Sequence, residues 1–220
     1  MQVIEPIWQT KTETATRVRG RIENILSWAI VHGYREGPNP ALWRGHLSML
    51  LPQRSKVQKT THFAALPYAQ IQDFMKELRQ KKSLSALALQ FTILTACRTN
   101  EFIGATWDEL DLKKKIWTIP AERMKANREH RVPLTEQIIN ILKKLPSKEG
   151  WLFPSRIQGK HISNMTMLKF LKEDMGYPKL TVHGFRSTFR DWCAEQTNFP
   201  RELAESALAH ALKDKTEAAY

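Results

Sequence analysis

A chain of 220 residues with 42% hydrophobic content is long enough to build a substantial core, and none of its apolar runs approaches the length of a membrane-spanning helix. Its first residues lack the pattern of a secretory signal peptide, and its two cysteines lie far apart in apolar segments, which argues against a disulfide framework or a cysteine metal site. The formal charge of +12 favours a polyanionic partner, and nucleic acid is a stronger candidate than an anionic membrane. We therefore expect a soluble, cytoplasmic protein.

The first predicted element is a basic amphipathic helix from Thr14 to Gly33, in which apolar residues recur at helical spacing and three arginines cluster near the start. Glycines and prolines at positions 33–40 end it. Because one helix cannot bury its apolar face alone, we interpret residues 1–45 as the C-terminal part of a helical domain. Residues 46–62 have no acidic residue and little periodicity, so they are predicted to be a basic linker that either contacts a polyanion or is merely solvated.

Two helical patterns open the remaining part of the chain. One runs from Tyr68 to Lys82, and the other is strongly apolar, begins after a capping Ser83 and is expected to form the core. Arg98 follows directly, with Glu101 three residues later. An arginine at the end of a buried helix needs a partner, and Glu101 is placed to provide one.

A small antiparallel sheet is predicted next, from β-rich segments at 116–120 and 130–134. The turn between them carries Arg123, Lys125 and Arg128, so basic side chains are expected to extend from the tip of a hairpin. Helical patterns then recur at 135–145, 163–175, 181–195 and 200–209. The expected fold class is therefore mainly α with a small antiparallel β-sheet, an α+β fold.

The helix near position 183 begins with a histidine and an arginine at a spacing that brings them to one face. His183 could carry a proton and Arg186 a permanent charge toward the same anion, and such a pair suits a phosphate. Taken alone, the pair is more typical of an ordinary surface at a helix start.

Four segments, taken together and in order, resemble the catalytic signature of tyrosine recombinases, with the integrases of temperate and satellite phages and of genomic islands as the most similar members. They read TACRTNEFIGATWDEL, ERMKANREHRVPL, TVHGFRSTFRDW and LAHALKDKTEAAY. The resemblance implies a catalytic fold of the tyrosine recombinase and type IB topoisomerase kind over residues 63–220. The upstream segment TATRVRGRIENILSWA, followed by NPA, resembles the end of the family's core-binding domain.

The resemblance also implies roles for individual residues. Tyr220 would be the nucleophile that forms a 3′-phosphotyrosine, while Arg98 and Arg186 would clamp the scissile phosphate. A phosphotyrosine conserves the energy of the broken phosphodiester, and a guanidinium supplies a permanent charge in forked geometry. The implied catalytic residues are Arg98, Lys125, His183, Arg186, His210 and Tyr220.

Lys125 would protonate the 5′-hydroxyl leaving group, His183 would assist as an acid or base, and His210 would donate a hydrogen bond to a phosphate oxygen, while Glu101 would support Arg98. Because the register of the hairpin is not fixed by its sequence, Arg123 or Arg128 could take the place assigned to Lys125. His210 could instead be an ordinary helix-end histidine. The two remaining histidines of this part of the chain, His130 and His161, are expected to lie on the surface.

The expected partner is double-stranded DNA at attachment sites, bound by a tetramer of recombinase subunits, with the chain alone monomeric and accessory DNA-bending proteins as further partners. Neither a cofactor nor a metal is expected, and the protein should associate with the bacterial nucleoid in the cytoplasm. The residues predicted to contact DNA are Arg17, Arg19, Arg21, Arg54, Lys56, Lys59, Arg123 and Arg128.

Family members usually have further domains before the matched region and a segment after the tyrosine, so we expect this sequence to be part of a longer protein. A terminal carboxylate beside Tyr220 would oppose attack on a phosphate, and weak binding and slow cleavage are expected. Three alternatives stay open at this point: a type IB topoisomerase-like relaxing enzyme, a DNA-binding module without catalysis, and a metal-independent nuclease based on His183 and His210.

Overall fold

The computed structural model describes residues 3–57 and 64–210. The chain divides into two units, Met1–His62 and Phe63–Tyr220. In the described part of the first unit, the helices are α1 (Glu5–Trp8), α2 (Thr12–Val31) and α3 (Arg54–Val57), with a 3₁₀ turn at Leu47–Met49. The long predicted helix is thus present as α2.

The expected linker contributes to the packing of this first unit. Leu51 is buried in a small cluster with Trp8 and Ala15, and the indole N–H of Trp8 donates to the carbonyl of Pro52 at 2.9 Å. Residues 46–57 therefore belong structurally to the N-terminal unit, while 58–62 lie outside the described residues. The segment lacks helical periodicity because single apolar side chains anchor it, and no continuous helical face is needed.

The second unit contains seven described α-helices around one three-stranded sheet, which confirms the predicted class. None of the described helices in the chain is long and apolar enough to cross a membrane. The elements are α4 (Ile71–Gln80), α5 (Leu84–Thr95), α6 (Thr99–Phe102), β1 (Leu110–Asp111), β2 (Ile116–Ile119), β3 (His130–Pro133), α7 (Glu136–Lys143), α8 (Thr166–Lys169), α9 (Gly184–Gln196) and α10 (Arg201–Ala207), with 3₁₀ turns at Tyr68–Gln70, Trp107–Glu109 and Ala121–Arg123 and a π-helical turn at Phe170–Asp174.

Helix α5 forms the centre of the core, as its apolar sequence predicted. Ser83 caps it by accepting a hydrogen bond from the backbone N–H of Ala86 at 3.2 Å. Phe91 is fully buried and meets Trp117 and Phe153 edge to face, with ring centroids 5.3 and 5.5 Å apart. Because α5 is rigidly packed, the residues that follow it are held in place relative to the sheet.

The sheet has the order β1-β2-β3 and is antiparallel throughout. Its second pair matches the predicted hairpin, with Ile116 opposite Pro133 and Ile119 opposite His130. The two-residue β1 was not predicted, because a strand that short shows no alternation. Thr135 caps α7 by accepting from the N–H of Ile138, as expected.

Two predicted helices are shorter than their patterns. The segment 163–175 is α-helical only in α8 and continues as the π-helical turn, and α10 ends at Ala207. Ala209 has a positive φ of 48°, so the backbone leaves the helix before His210. That turn places His210 beside α9, as described below.

Another segment of this unit crosses the first residue of helix α9, Gly184, at close range. A Cβ on Gly184 would lie 2.3 Å from the carbonyl oxygen of Ala64 and 3.0 Å from the Cα of Ala65. One turn further on, the Thr188 hydroxyl donates to the carbonyl of Leu66 at 2.6 Å. The glycine between His183 and Phe185 thus permits direct backbone contact between α9 and the start of this unit.

We predict that Gly184→Ala lowers the free energy of unfolding by about 1–3 kcal/mol, because backbone atoms of residues 64–65 must shift to admit the methyl group. At Gly20, inside α2, no neighbouring atom lies within 4 Å of the position that a methyl group would take, so Gly20→Ala serves as the control and should not destabilise. Chemical denaturation followed by circular dichroism measures both. Equal stability of Gly184→Ala and the unsubstituted chain would contradict the assigned contact.

Candidate active site

Arg98 lies between α5 and α6 and is held by Glu101. Its Nη1 donates to Glu101 Oε1 at 2.6 Å, and its backbone N–H donates to Oε2 at 2.8 Å. Glu101 is 2% exposed, whereas the Arg98 side chain is 23% exposed. The predicted pairing is confirmed, and it leaves the guanidinium at the surface while its carboxylate partner is buried.

The Arg186 side chain is buried and spans three elements. Its Nη1 donates to the carbonyl of Ala96 at the end of α5, and its Nη2 donates to the carbonyl of Leu208 at 2.5 Å. Burial lowers the pKa of Arg186, and the nearby positive charge of Arg98 lowers it further. Two backbone carbonyls thus compensate a desolvated cation.

The two carbonyls reach Arg186 because the backbone turns sharply beside each. Ala96 itself has a φ of 51°, and Ala209, which follows Leu208, has a φ of 48°. A positive φ is unfavourable for alanine, so the surrounding packing must hold both residues there. These left-handed alanines connect the ends of α5 and α10 to α9.

Three of the predicted catalytic residues, together with Glu101 and Arg123, line one open cleft of about 520 Å³. Arg98 contributes from the start of α6, Lys125 from the hairpin, and His183 from the residue before α9. Thr181 starts α9 by accepting from the N–H of Gly184 at 3.0 Å. The tertiary structure therefore brings together side chains that are far apart in the sequence.

Arg123 corrects one expectation, because it does not extend from the hairpin tip toward DNA. Its guanidinium binds the carboxylate of Glu109, with Nη1 2.6 Å from Oε1, and it also donates to the carbonyl of Gly104. Lys125 and Arg128 are exposed on the same hairpin. The ion pair thus orients Arg123 toward Glu109, whereas the side chains of Lys125 and Arg128 extend into solvent.

We predict that two alanine substitutions in this hairpin differ in their effect on stability. Arg123→Ala should lower the free energy of unfolding by about 1–3 kcal/mol, because it removes the cationic partner of the mostly buried Glu109 carboxylate and leaves only hydrogen bonds from Thr106 and Trp117. Lys125→Ala should change it by less than about 0.5 kcal/mol, as for other exposed positions. Denaturant titration measures both values, and a large loss for Lys125→Ala would show a structural role for that lysine.

The surroundings of His183 lower the pKa of its imidazole. Desolvation is the main cause of its lowered pKa, and the charges of Arg186 and Arg98 lower it further, followed by His210. The neutral form is therefore favoured near pH 7, and a neutral imidazole can accept a proton.

His130 is a residue that the sequence reasoning placed wrongly on the surface. It is half-buried on β3, where its ring hydrogen-bonds to the backbone of Ala207 and feels the charges of Glu101, Arg186 and Arg98. His161 is also half-buried, with Nδ1 2.7 Å from the carbonyl of Ile162. The register of β3 places His130 toward α10, and sequence alone gave no signal of that contact.

Desolvation lowers the pKa of His130 in the folded state, so the unfolded chain binds a proton more readily. Stability should therefore fall as the pH decreases through about 6.5, the ordinary histidine value. His130→Asn should make the free energy of unfolding depend less steeply on pH. Part of the dependence should remain, because the pKa of His183 is also lowered in the folded state. Carboxylates with lowered pKa values titrate at more acidic pH, namely Asp111, Glu136 and Glu205.

Denaturant titrations between pH 8 and pH 5.5 measure this slope. An identical pH dependence in the His130→Asn variant and the unsubstituted chain would contradict the contribution of His130.

His210 follows α10 and contacts Arg186, with Nε2 3.2 Å from Nη2. Its Nδ1 lies 2.6 Å from Glu205 Oε2, and Glu205 Oε1 accepts from Arg190 Nε at 3.0 Å. Neither Glu205 nor Arg190 was predicted. His210 lies five positions after Glu205, a spacing that does not match a helical face, and the left-handed turn at Ala209 brings the two side chains together.

The basic residues of the N-terminal unit differ in their surroundings. The Arg19 side chain is 13% exposed, pairs with Glu23 and donates to the carbonyl of Ala41, so its interactions are largely internal. Arg17 and Arg54 are exposed but both pair with Glu13. The side chains of two further predicted residues, Arg21 and Lys56, are exposed and make no hydrogen bond or ion pair with a described residue.

Two predicted residues, Lys59 and Tyr220, lie outside the described residues. Among the described residues, no group of three or more histidine, cysteine, aspartate or glutamate side chains could hold a metal ion. Both cysteines are free and buried, as predicted, and burial raises the pKa of Cys97 to about 12.

Comparison with known proteins decides the family. The model of the phage integrase family matches residues 65–220, and that of the phage integrase central domain matches residues 1–46. The chain belongs to the phage integrase family. The match to residues 65–220 includes all of the candidate catalytic residues that the structure describes, from Arg98 to His210.

Curated relatives include the integrase of Enterobacteria phage P4, 27% identical over 230 residues, which cover 96% of this chain and 51% of that protein. Prophage integrase IntZ of Escherichia coli strain K12 is 32% identical over 210 residues, covering 93% of this chain and 50% of IntZ. The chain therefore spans about half the length of these relatives.

Among solved structures, a lambda integrase tetramer bound to a Holliday junction aligns with a TM-score of 0.67 at 14% identity, over 95% of this chain and 62% of that one. At this identity the likeness shows a shared fold.

Proposed function

We propose that this protein is a site-specific DNA recombinase, an integrase that cleaves and rejoins DNA through a 3′-phosphotyrosine intermediate to integrate or excise a mobile element. The observation that supports this most directly is the convergence of Arg98, Lys125 and His183 on one cleft, with Arg186 held beside His210. Four separate segments of the chain supply these groups, and a phosphodiester is the substrate that would use all of them.

The two arginines would bind the scissile phosphate from different sides. Arg98 is fixed by Glu101 yet partly exposed, so it can turn its remaining N–H groups toward a phosphate oxygen. Arg186 is buried in a pocket of carbonyls, where a guanidinium is preorganised and desolvated. Fixed donors of this kind stabilise the charge that develops on non-bridging oxygens.

Cleavage would begin when the phenol oxygen of Tyr220 attacks phosphorus and His183 accepts the phenolic proton. The bond from phosphorus to the 5′-oxygen breaks, and Lys125 gives that oxygen its proton, which leaves a 3′-phosphotyrosine and a free 5′-hydroxyl. A 5′-hydroxyl from another strand would reverse these steps. The lowered pKa of His183 supports its part, because a neutral imidazole can accept the proton.

The proposed partner is double-stranded DNA at attachment sites, contacted through exposed basic residues of both units. Arg21 and Lys56 are the best-placed described candidates in the N-terminal unit, and Arg128 is on the hairpin. Assembly as a tetramer is proposed by analogy with lambda integrase, which forms a tetramer on a Holliday junction. Accessory DNA-bending proteins are further proposed partners, and the bacterial nucleoid is the proposed location.

We also propose a domain assignment. Residues 1–45 would be the C-terminal part of a core-binding domain, in agreement with the central-domain match to residues 1–46, and residues 63–220 would be the catalytic domain. Residues 46–57 pack on the first unit, so only 58–62 remain for a linker.

A pool of labelled, nicked duplexes with a randomised core tests the function whatever the sequence of the attachment site. We predict covalent protein–DNA adducts with the 220-residue chain and none with Tyr220→Phe, because the phenol oxygen forms the bond. Sequencing the trapped DNA then identifies the site. Salt-sensitive binding without any adduct would favour a DNA-binding module instead, and two labelled sites in one reaction would distinguish recombination from topoisomerase-like relaxation.

The role of Lys125 has its own test. Lys125→Ala should reduce adduct formation by about 100-fold or more, the usual contribution of a general acid. A 5′-bridging phosphorothiolate should restore the rate, because a thiolate leaves without protonation. Arg128→Ala, on the same hairpin, serves as the control and should gain nothing from the sulfur substrate. Failure of the sulfur substrate to restore Lys125→Ala would assign the proton to another residue.

A further inference from the structure

Glu205 lies on α10, and its carboxylate contacts Arg190 of α9. It has no role in the reaction proposed above. Its side chain is 12% exposed. Oε2 lies 2.6 Å from Nδ1 of His210, and Oε1 accepts from Nε of Arg190 at 3.0 Å. The backbone carbonyl of Glu205 also accepts from the N–H of His210 at 2.9 Å. Three bonds thus fix the position of one carboxylate relative to one imidazole.

These contacts determine which nitrogen of His210 carries the proton. A carboxylate accepts hydrogen bonds, so Nδ1 of His210 must be the donor to Glu205. A guanidinium has donors and no acceptor, so Nε2 must accept from Nη2 of Arg186, 3.2 Å away. In this DNA-free state the two contacts therefore correspond to the Nδ1–H tautomer of His210.

The contacts form a closed path between two helices. Arg186 and Arg190 lie one turn apart on α9, and each meets one end of the Glu205–His210 pair. Bonds from His210 and from Arg190 also keep the pKa of the Glu205 carboxyl below its usual range. The imidazole is held in place on both of its nitrogens.

We propose that Glu205 is a positioning residue for the recombinase reaction, which fixes the ring of His210 through Nδ1–H and directs Nε2 to the phosphate pocket beside Arg186. This inference rests on the proposed function. When a phosphate takes the place of the imidazole as acceptor for Arg186, Nε2 binds a proton from solvent and donates it as a hydrogen bond to a phosphate oxygen. The imidazolium is then stabilised by the carboxylate of Glu205 on one side and the phosphate on the other, against the opposing charge of Arg186.

The first test needs no activity. Nitrogen-15 NMR of the His210 imidazole should show the Nδ1–H form in the free 220-residue chain, and Glu205→Ala should shift it to the Nε2–H form that unconstrained histidines favour. Glu205→Gln should keep the Nδ1–H form, because its amide oxygen can still accept. An unchanged Nδ1–H form in Glu205→Ala would overturn the proposal.

The second test measures adduct formation on the trapped attachment duplex. Glu205→Ala should lower the rate by about 10- to 100-fold, the range seen for other groups that orient a functional histidine. Glu205→Gln should recover part of that loss. Glu202 is exposed on the same helix, so Glu202→Ala is the matched control and should leave the rate unchanged. A wild-type rate in Glu205→Ala would overturn the proposal.

A double substitution separates positioning from general destabilisation. If Glu205 acts through His210, Glu205→Ala should cause no further loss in a His210→Ala background. A further loss of the same size would show that Glu205 acts on stability and would refute the assigned role. Absence of any Tyr220-dependent adduct in the unsubstituted chain would instead refute the proposed function, and the NMR result would then still decide whether Glu205 fixes His210.

Discussion

The burial of one guanidinium constrains the arrangement of the whole candidate site. Arg186 lies in the interior, and a desolvated cation is tolerated only where acceptors surround it. Its acceptors are the carbonyls of Ala96 and Leu208, which end α5 and follow α10. To present them, the backbone adopts left-handed conformations at Ala96 and Ala209. One side chain therefore joins three elements, and the positions of Arg98 and His210 follow from the same turns.

Around this cation lie further basic side chains, and carboxylates orient two of them. Glu101 holds Arg98, and Glu205 holds His210. Desolvation by burial is the main cause of the lowered pKa values of Arg186 and His183, and repulsion from Arg98 lowers both further. Such a cluster is unfavourable without an anion, and a phosphate would relieve the repulsion on binding. The electrostatics and the proposed phosphodiester substrate are thus consistent with each other.

Local spacing was sufficient for several features. Ser83 and Thr135 cap helices as predicted, the apolar run after Ser83 forms the central helix, and Glu101 pairs with Arg98 at three residues' distance. Each of these interactions joins residues within one turn of the chain, where backbone geometry alone sets the distance. The same reasoning failed for His130 and for Arg123, whose partners are remote in sequence.

The amino-acid order alone was enough to establish the helical class with its small sheet, the family, and the order of the candidate residues, because these depend on periodicity and on short motifs. Only the folded chain could show three further contacts. Arg123 forms an ion pair with Glu109, and His130 lies against the backbone of Ala207. Glu205 contacts His210 because of a left-handed turn. These contacts depend on strand register, helix packing and positive-φ turns. None of the three leaves a periodic trace in the sequence, because each is settled by the packing of segments that are distant along the chain or by a break in helical geometry.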